Sequence, residues 1–142
     1  MSEAGDPVES ISEITVEAAA SRLREAIRAA GLTLFAEIDH AAGARAAGLE
    51  MPPTLVLLYG AAAGGTPVML AAPDAALDLP LRVLVRRRAD GRTSILFHPA
   101  ADMLRRHHLP AERLRPLAAA QSLLLRALSD GAPELPVTPL PG

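Results

Sequence analysis

The chain has no cysteine among its 142 residues, so disulfides, thiolate catalysis and Cys-based zinc or iron–sulfur sites are excluded by arithmetic. Tryptophan is absent too. Phe35, Tyr59 and Phe97 are the whole aromatic complement, too few to form a stacking platform for bases or sugars. Lysine is also missing, and all fourteen basic residues are arginine. With abundant Ala, Gly and Pro, this reads as the codon bias of a GC-rich genome, so a single arginine is weak evidence of function. No stretch approaches the roughly 18 uninterrupted apolar residues of a membrane helix. Residues Met1 to Glu13 are acidic and lack an apolar block, unlike a secretory signal or an Arg-rich transit peptide. The net charge of −2 gives no overall field that would draw the chain to phosphate polymers or acidic membranes. These absences predict a soluble, cytoplasmic protein with neither nucleic acid nor membrane as partner.

What is present fits one domain. The length allows a single core and is too short for two ordinary domains, and half of the residues are apolar. Residues 1–13 read as a flexible N-terminal arm, within which Val8 to Ser12 could add a short edge strand. Residues 14–130 read as a single α+β domain, and 131–142 as a disordered Pro-rich tail. Thr15 is placed to cap a helix whose Val16, Ala20, Leu23 and Ile27 share one face, and Gly31 to close it. Thr33 to Asp39 is rich in strand formers and leads into an Ala-rich helix, His40 to Ala47, with Asp39 as its cap. Pro52 and Pro53 enforce an extended entry to a second strand, Thr54 to Tyr59, whose continuous apolar character predicts burial on both faces. Gly60 to Gly65 reads as a flexible turn, followed by Thr66 as an N-cap with Pro67 at the first helical position. Leu81 to Arg88 and Arg92 to His98 flank Asp90-Gly91 and predict a hairpin. Pro110 to Leu128 predicts a leucine-rich helix closed by Gly131. The order helix, strand, helix, strand, helix, hairpin, helix is α+β, a small and mainly antiparallel sheet with helices on one face.

Several of these segments carry a combination of markers: Gly31-Leu32-Thr33 with Phe35, Ile38-Asp39-His40, Ala44 and Gly48, Pro53, then Gly60 with Gly65-Thr66-Pro67 and Met69. Ala76-Leu77-Asp78-Leu79-Pro80-Leu81 and the Asp90-Gly91 hairpin complete it. This pattern resembles the bacterial domain of unknown function 302 family from about Thr15 to Leu128. The resemblance implies a compact α+β fold of the TATA-binding-protein-like type, commonly dimeric, with no settled activity. Departures from the family pattern are Ala61-Ala62, where Asn and Pro are usual, Phe97-His98-Pro99 near the last strand's end, and Ala19, where Thr is common.

Candidate chemistry gathers in few places. Asp39-His40 stands where a strand ends and a helix starts, which exposes side chains and aims backbone N–H groups at an anion. There His40 is a candidate general base or metal ligand oriented by Asp39, and a helix cap followed by a first-turn histidine explains the same residues structurally. Gly60 to Thr66, with Gly65 and Thr66 as markers, has the strand-to-helix position that cradles phosphate. It lacks the Lys and the Gly spacing of a P-loop, so a plain connecting turn competes with it. The binding hypothesis therefore places a small molecule or anion in a cleft bordered by Asp39, His40, Gly60, Gly65 and Thr66, with His98 as a further candidate. His98, His107 and His108 with Met51, Met69 and Met103 offer ligands for a soft metal or haem iron. No pair has metal spacing on a regular helix, so no metal site is assigned, and core packing explains the methionines. An enzyme using His40 for proton transfer is a third reading. The cofactor is left open. Self-association as a homodimer is expected from the last helix, where Leu114, Leu117, Leu124 and Leu128 form one stripe and Leu123 and Leu125 flank it, a face wide enough to leave apolar area uncovered.

Overall fold

The computed structural model describes residues 5–134, with side chains as far as Ser129. Its elements begin with β1 (Val8–Ser12), α1 (Val16–Ala29), β2 (Thr33–Asp39), α2 (His40–Ala46), β3 (Thr54–Gly60) and α3 (Ala62–Ala71). A 3₁₀ helix over Pro73–Asp78 precedes β4 (Leu81–Arg87) and β5 (Thr93–Phe97). The chain closes with α4 (Ala100–Met103), a 3₁₀ turn over Arg105–His107, and α5 (Ala111–Glu134). The five strands form one sheet of order β1-β5-β4-β3-β2, with every neighbouring pair antiparallel.

Local chemistry sets the helix ends. The Thr15 hydroxyl accepts the Ala18 amide at 3.0 Å, satisfying one of the first-turn donors that α1 cannot pair internally. At the other end Gly31, with φ +76, lets the Leu32 amide reach the Ile27 carbonyl at 3.0 Å, the paired reverse bonding that glycine permits at little steric cost. Gly48 closes α2 in the same way, with the Leu49 amide on the Ala44 carbonyl at 2.8 Å.

The strand period of two then sorts side chains onto two faces. Leu57, Tyr59, Val83, Val85 and Ile95 are buried on one face beneath α1 and α5. Leu23 and Ile27 of α1 pack into that core with Leu114, Leu117, Leu124 and Leu128 of α5. Gln121 is the polar exception in this layer. Its side-chain oxygen accepts the Ala100 amide and its NH₂ donates to the His98 carbonyl, both at 2.9 Å, fastening the end of β5 and the start of α4 to α5. Among the described residues no helix covers the opposite face. One row across it, set by register, runs Glu9, Leu96, Leu84, Val56, Ile38.

Val8–Ser12, the short edge strand the sequence allows within the arm, is paired along its length with β5 at the edge of the sheet, and its partner lies more than eighty residues away in sequence. Three expectations change. β3 is buried on its helix side, whereas Val56 and Leu58 are half-buried. The short helix after β3 starts at Ala62 instead of after Thr66, so Gly64, Gly65 and Thr66 are helical and Pro67 lies inside α3. The backbone of α5 continues past Gly131 to Glu134. Of the tail expected to be disordered, residues 135–142 lie outside the described residues, as do residues 1–4 of the arm.

Candidate functional site

Antiparallel pairing of β2 with β3 decides which candidate residues can meet. Asp39 lies opposite Leu55 and Thr33 opposite Gly60, so the Asp39-His40 corner and the Gly60 turn occupy opposite ends of the sheet. The five strand steps from Leu55 to Gly60 span about 17 Å. The single cleft expected between Asp39, His40, Gly60, Gly65 and Thr66 is therefore two clefts.

At the Asp39 end, a groove of about 480 Å³ is bordered by Asp39, Ala41 and Arg45 with Thr15, Glu17, Thr54, Arg87 and Thr93. The Asp39 carboxylate accepts the Ala42 amide at 2.9 Å and acts as the cap of α2, so it is engaged with backbone instead of orienting an imidazole. His40 is exposed in the first turn of that helix. One oxygen of its proposed partner is engaged with the α2 backbone, and His40 is not among the residues that border the groove.

At the Gly60 end, a cleft of about 470 Å³ is walled by the end of β3, by α3 and by the segment entering β4. Gly60, Gly65 and Thr66 border it, with Phe35, Leu58, Met69, Leu79, Pro80, Leu81 and Leu117. Among the described residues no carboxylate, imidazole or guanidinium lines this cleft; its polar side chains are Thr66 and the phenol of Tyr59. The phosphate cradle is not formed, because the amides of Gly64 and Gly65 are bonded to the Ala61 carbonyl at 3.0 and 2.9 Å. A Cβ on Gly60 would stand 3.7 Å from the Phe35 ring, and one on Gly65 would stand 3.8 Å from Leu79 and 4.0 Å from Met69. Tyr59 is fully buried, and its hydroxyl has no hydrogen-bond partner among the described residues. Burial raises its pKa well above the ordinary phenol value, since a phenolate in this core would lose its hydration.

His98 ends β5 at the same edge of the sheet as Gly60, yet it does not border the cleft; its side chain is exposed and its carbonyl receives Gln121. Among the described residues no group of three or more His, Asp or Glu side chains could hold a metal ion. The residue that sequence reasoning missed is Asp78. Its carboxylate receives His107 Nε2 at 3.0 Å and Arg106 Nη1 at 2.8 Å. The His107 hydrogen bond and the Arg106 charge hold its pKa below the usual carboxylate range, against the opposing effect of partial burial.

The fold agrees with what similar proteins show. The family model described as domain of unknown function DUF302 matches residues 8–130. The chain belongs to the DUF302 family. The DUF302 match begins at Val8, in agreement with the incorporation of β1 into the sheet. A crystal structure of an uncharacterized conserved DUF302 protein from Bacillus stearothermophilus superposes with a TM-score of 0.74 at 16% identity, covering 87% of this chain and 95% of that one. This likeness shows the common α+β fold. The chain is also 33% identical over 88 residues to fluoride-specific ion channel FluC 1 of Brucella suis biovar 1 (strain 1330), covering 62% of this chain and 35% of the relative. The match to fluoride-specific ion channel FluC 2 of Brucella melitensis biotype 1 (strain ATCC 23456 / CCUG 17765 / NCTC 10094 / 16M) is also 33% over 88 residues and covers 33% of that protein. This DUF302 chain thus spans about a third of the length of the curated relatives it matches. Among its described residues no helix is long and apolar enough to cross a membrane.

Proposed function

We propose that this DUF302 chain is a ligand-binding module whose site is the cleft at the Gly60 end, and that its ligand is a small, predominantly apolar and uncharged molecule. The observation that carries the reading is the lining: about 470 Å³ of concave surface with apolar walls and no ionised side chain. That volume lies in the usual range for small-molecule sites, which are mostly apolar with a few polar groups. An anion would exchange water for this wall without gaining a counter-charge, at a cost of several kcal/mol. The site keeps Gly60, Gly65 and Thr66 and leaves Asp39, His40 and His98 outside. The similarity to one third of longer proteins named fluoride-specific ion channels supports a module that works beside other domains. Conduction is not part of this proposal.

Titration with N-phenyl-1-naphthylamine, a neutral apolar dye that fluoresces on leaving water, tests the site. The expected result is saturable binding by the natural chain and its loss in Gly65→Leu, whose side chain would project between Leu79 and Met69. Equal binding by a folded Gly65→Leu protein would remove the cleft from consideration.

A second reading concerns assembly, where we propose a homodimer formed through the open sheet face. The leucine stripe of α5 is buried in the core, with Leu124 at 1% and Leu117 at 4% exposure, so the motive for a dimer through that helix disappears. Exposed apolar groups stand instead on the uncovered face, where Ile11 and Ile38 are each 42% exposed beside half-buried Val56, Leu84 and Leu96. Light scattering is expected to give twice the chain mass, and Ile38→Glu to halve it. A monomer mass for the natural chain at all concentrations would contradict this reading.

A further inference from the structure

The Asp78 cluster lies outside the cleft and is joined to it by the chain. Asp78 ends the 3₁₀ helix over Pro73–Asp78 and is followed directly by Leu79, Pro80 and Leu81, which form one wall of the cleft. His107 sits on the turn that leads into α5, and α5 supplies Leu117 to the same cleft. The Asp78–His107 bond therefore ties one wall to the base of the helix that forms another. Burial favours such a tie. The His107 side chain is only 10% exposed and that of Asp78 24%, so water and salt screen the contact less than a surface pair. With a carboxylate as acceptor, the Nε2 atom of His107 is the donor. Arg106 shares the same carboxylate oxygen, Asp74 borders the groove outside, and Arg105 is paired with Asp102.

We propose that Asp78 and His107 are positioning residues that hold the Leu79–Pro80 wall at its distance from α5 and thereby set the affinity of the cleft. This inference rests on the cleft being the ligand site. An apolar cleft binds tightly only when its walls already stand at contact distance, since closing them on binding costs ordering entropy. Loss of the bond leaves the wall held by the packing of Leu79 and Leu81 alone, and affinity falls while the core beneath stays packed.

The test measures N-phenyl-1-naphthylamine affinity for the natural chain and for Asp78→Ala, Asp78→Asn, His107→Ala, Asp102→Ala and Gly65→Leu, each well below its own melting temperature. Asp78→Ala is expected to weaken binding by about 3- to 30-fold, the range of couplings carried by residues that do not touch a ligand. Asp78→Asn keeps an acceptor for Nε2 and should restore most of the affinity, a rescue that a merely destabilised fold would not show. His107→Ala, which leaves Arg106 on the carboxylate, serves as the milder variant and should move affinity in the same direction. Asp102→Ala breaks a neighbouring ion pair and should leave affinity unchanged. If Gly65→Leu abolishes binding while Asp78→Ala and His107→Ala bind as the natural chain does, the positioning role is overturned and the cleft stands. If the natural chain binds no dye, both the cleft and the positioning role are overturned.

Discussion

The two ends of the β2–β3 pair carry concavities of nearly equal size, about 480 Å³ beside Asp39 and about 470 Å³ beside Gly60, with opposite chemistry. At the Asp39 end much of the polar lining is committed to structure. Asp39 holds the Ala42 amide, Thr54 donates to the Pro52 carbonyl, Thr93 donates to the Ile14 carbonyl, and Glu17 pairs with Arg24. At the Gly60 end the wall is apolar surface that burial would stabilise by about 25 cal/mol per Å². Volume alone does not separate the two ends; the Asp39 end is bordered by ionised side chains, Arg45 and Arg87 among them, and the Gly60 end by none.

The largest expected effect tests the core under the Gly60 end. Tyr59 has its pKa raised by burial, so the native state holds a neutral phenol while the unfolded chain ionises near pH 10. The native contribution is complete below that value and is lost as pH rises above it, by about 1.4 kcal/mol per pH unit. Urea unfolding between pH 9 and 11.5 should show this fall, and Tyr59→Phe should abolish it. Because the hydroxyl has no partner among the described residues, the same variant at pH 7 is expected to be neutral or slightly stabilising, unlike the loss of about 1 kcal/mol usual for a bonded hydroxyl.

At the other end, Asp39→Ala removes the cap of α2 and should cost about 1 kcal/mol without changing dye affinity. A large loss of affinity would reverse the assignment of the two ends. Gly65→Ala should instead raise stability by about 0.5–1 kcal/mol, since Gly65 is helical and its Cβ would meet only ordinary contacts. The same methyl narrows the cleft, so affinity for the dye should fall as stability rises. The smallest effect lies at the hairpin tip. The Asp90 carboxylate is held at a pKa of about 2 by the Arg92 amide and by the Arg92 and Arg88 side chains. Its contribution is present above the ordinary carboxylate value and disappears as pH falls from about 4 toward 2. Asp90→Asn should flatten that part of the acid limb and leave both clefts unchanged.

Much of the fold could be read locally, because caps and periodicity are local. Thr15, Gly31, Asp39 and the Asp90-Gly91 turn act where their chemistry predicts. The failures are long-range. Gly64 and Gly65 argue for a loop by propensity, yet both are helical; α3 packs against α5, and tertiary packing outweighs their poor helix propensity. Gly60, Gly65 and Thr66, which border the proposed site, stand out in the sequence, but the extent of the cleft does not. Local reading cannot tell that antiparallel register sends Asp39 to the far end. Nor could it pair Asp78 with His107, although Asp78 stands in the Ala76 to Leu81 run that marks the family.

Whether the apolar end holds the ligand is decided by recording amide chemical shifts of the isotope-labelled chain during titration with N-phenyl-1-naphthylamine. Saturable shifts are expected at Gly60, Gly65, Met69, Leu79 and Leu81, with Ala41, Arg45 and Thr54 unmoved. Shifts gathered at Ala41, Arg45 and Thr54, with the Gly60 end silent, would place the ligand at the wrong end for this reading and overturn it.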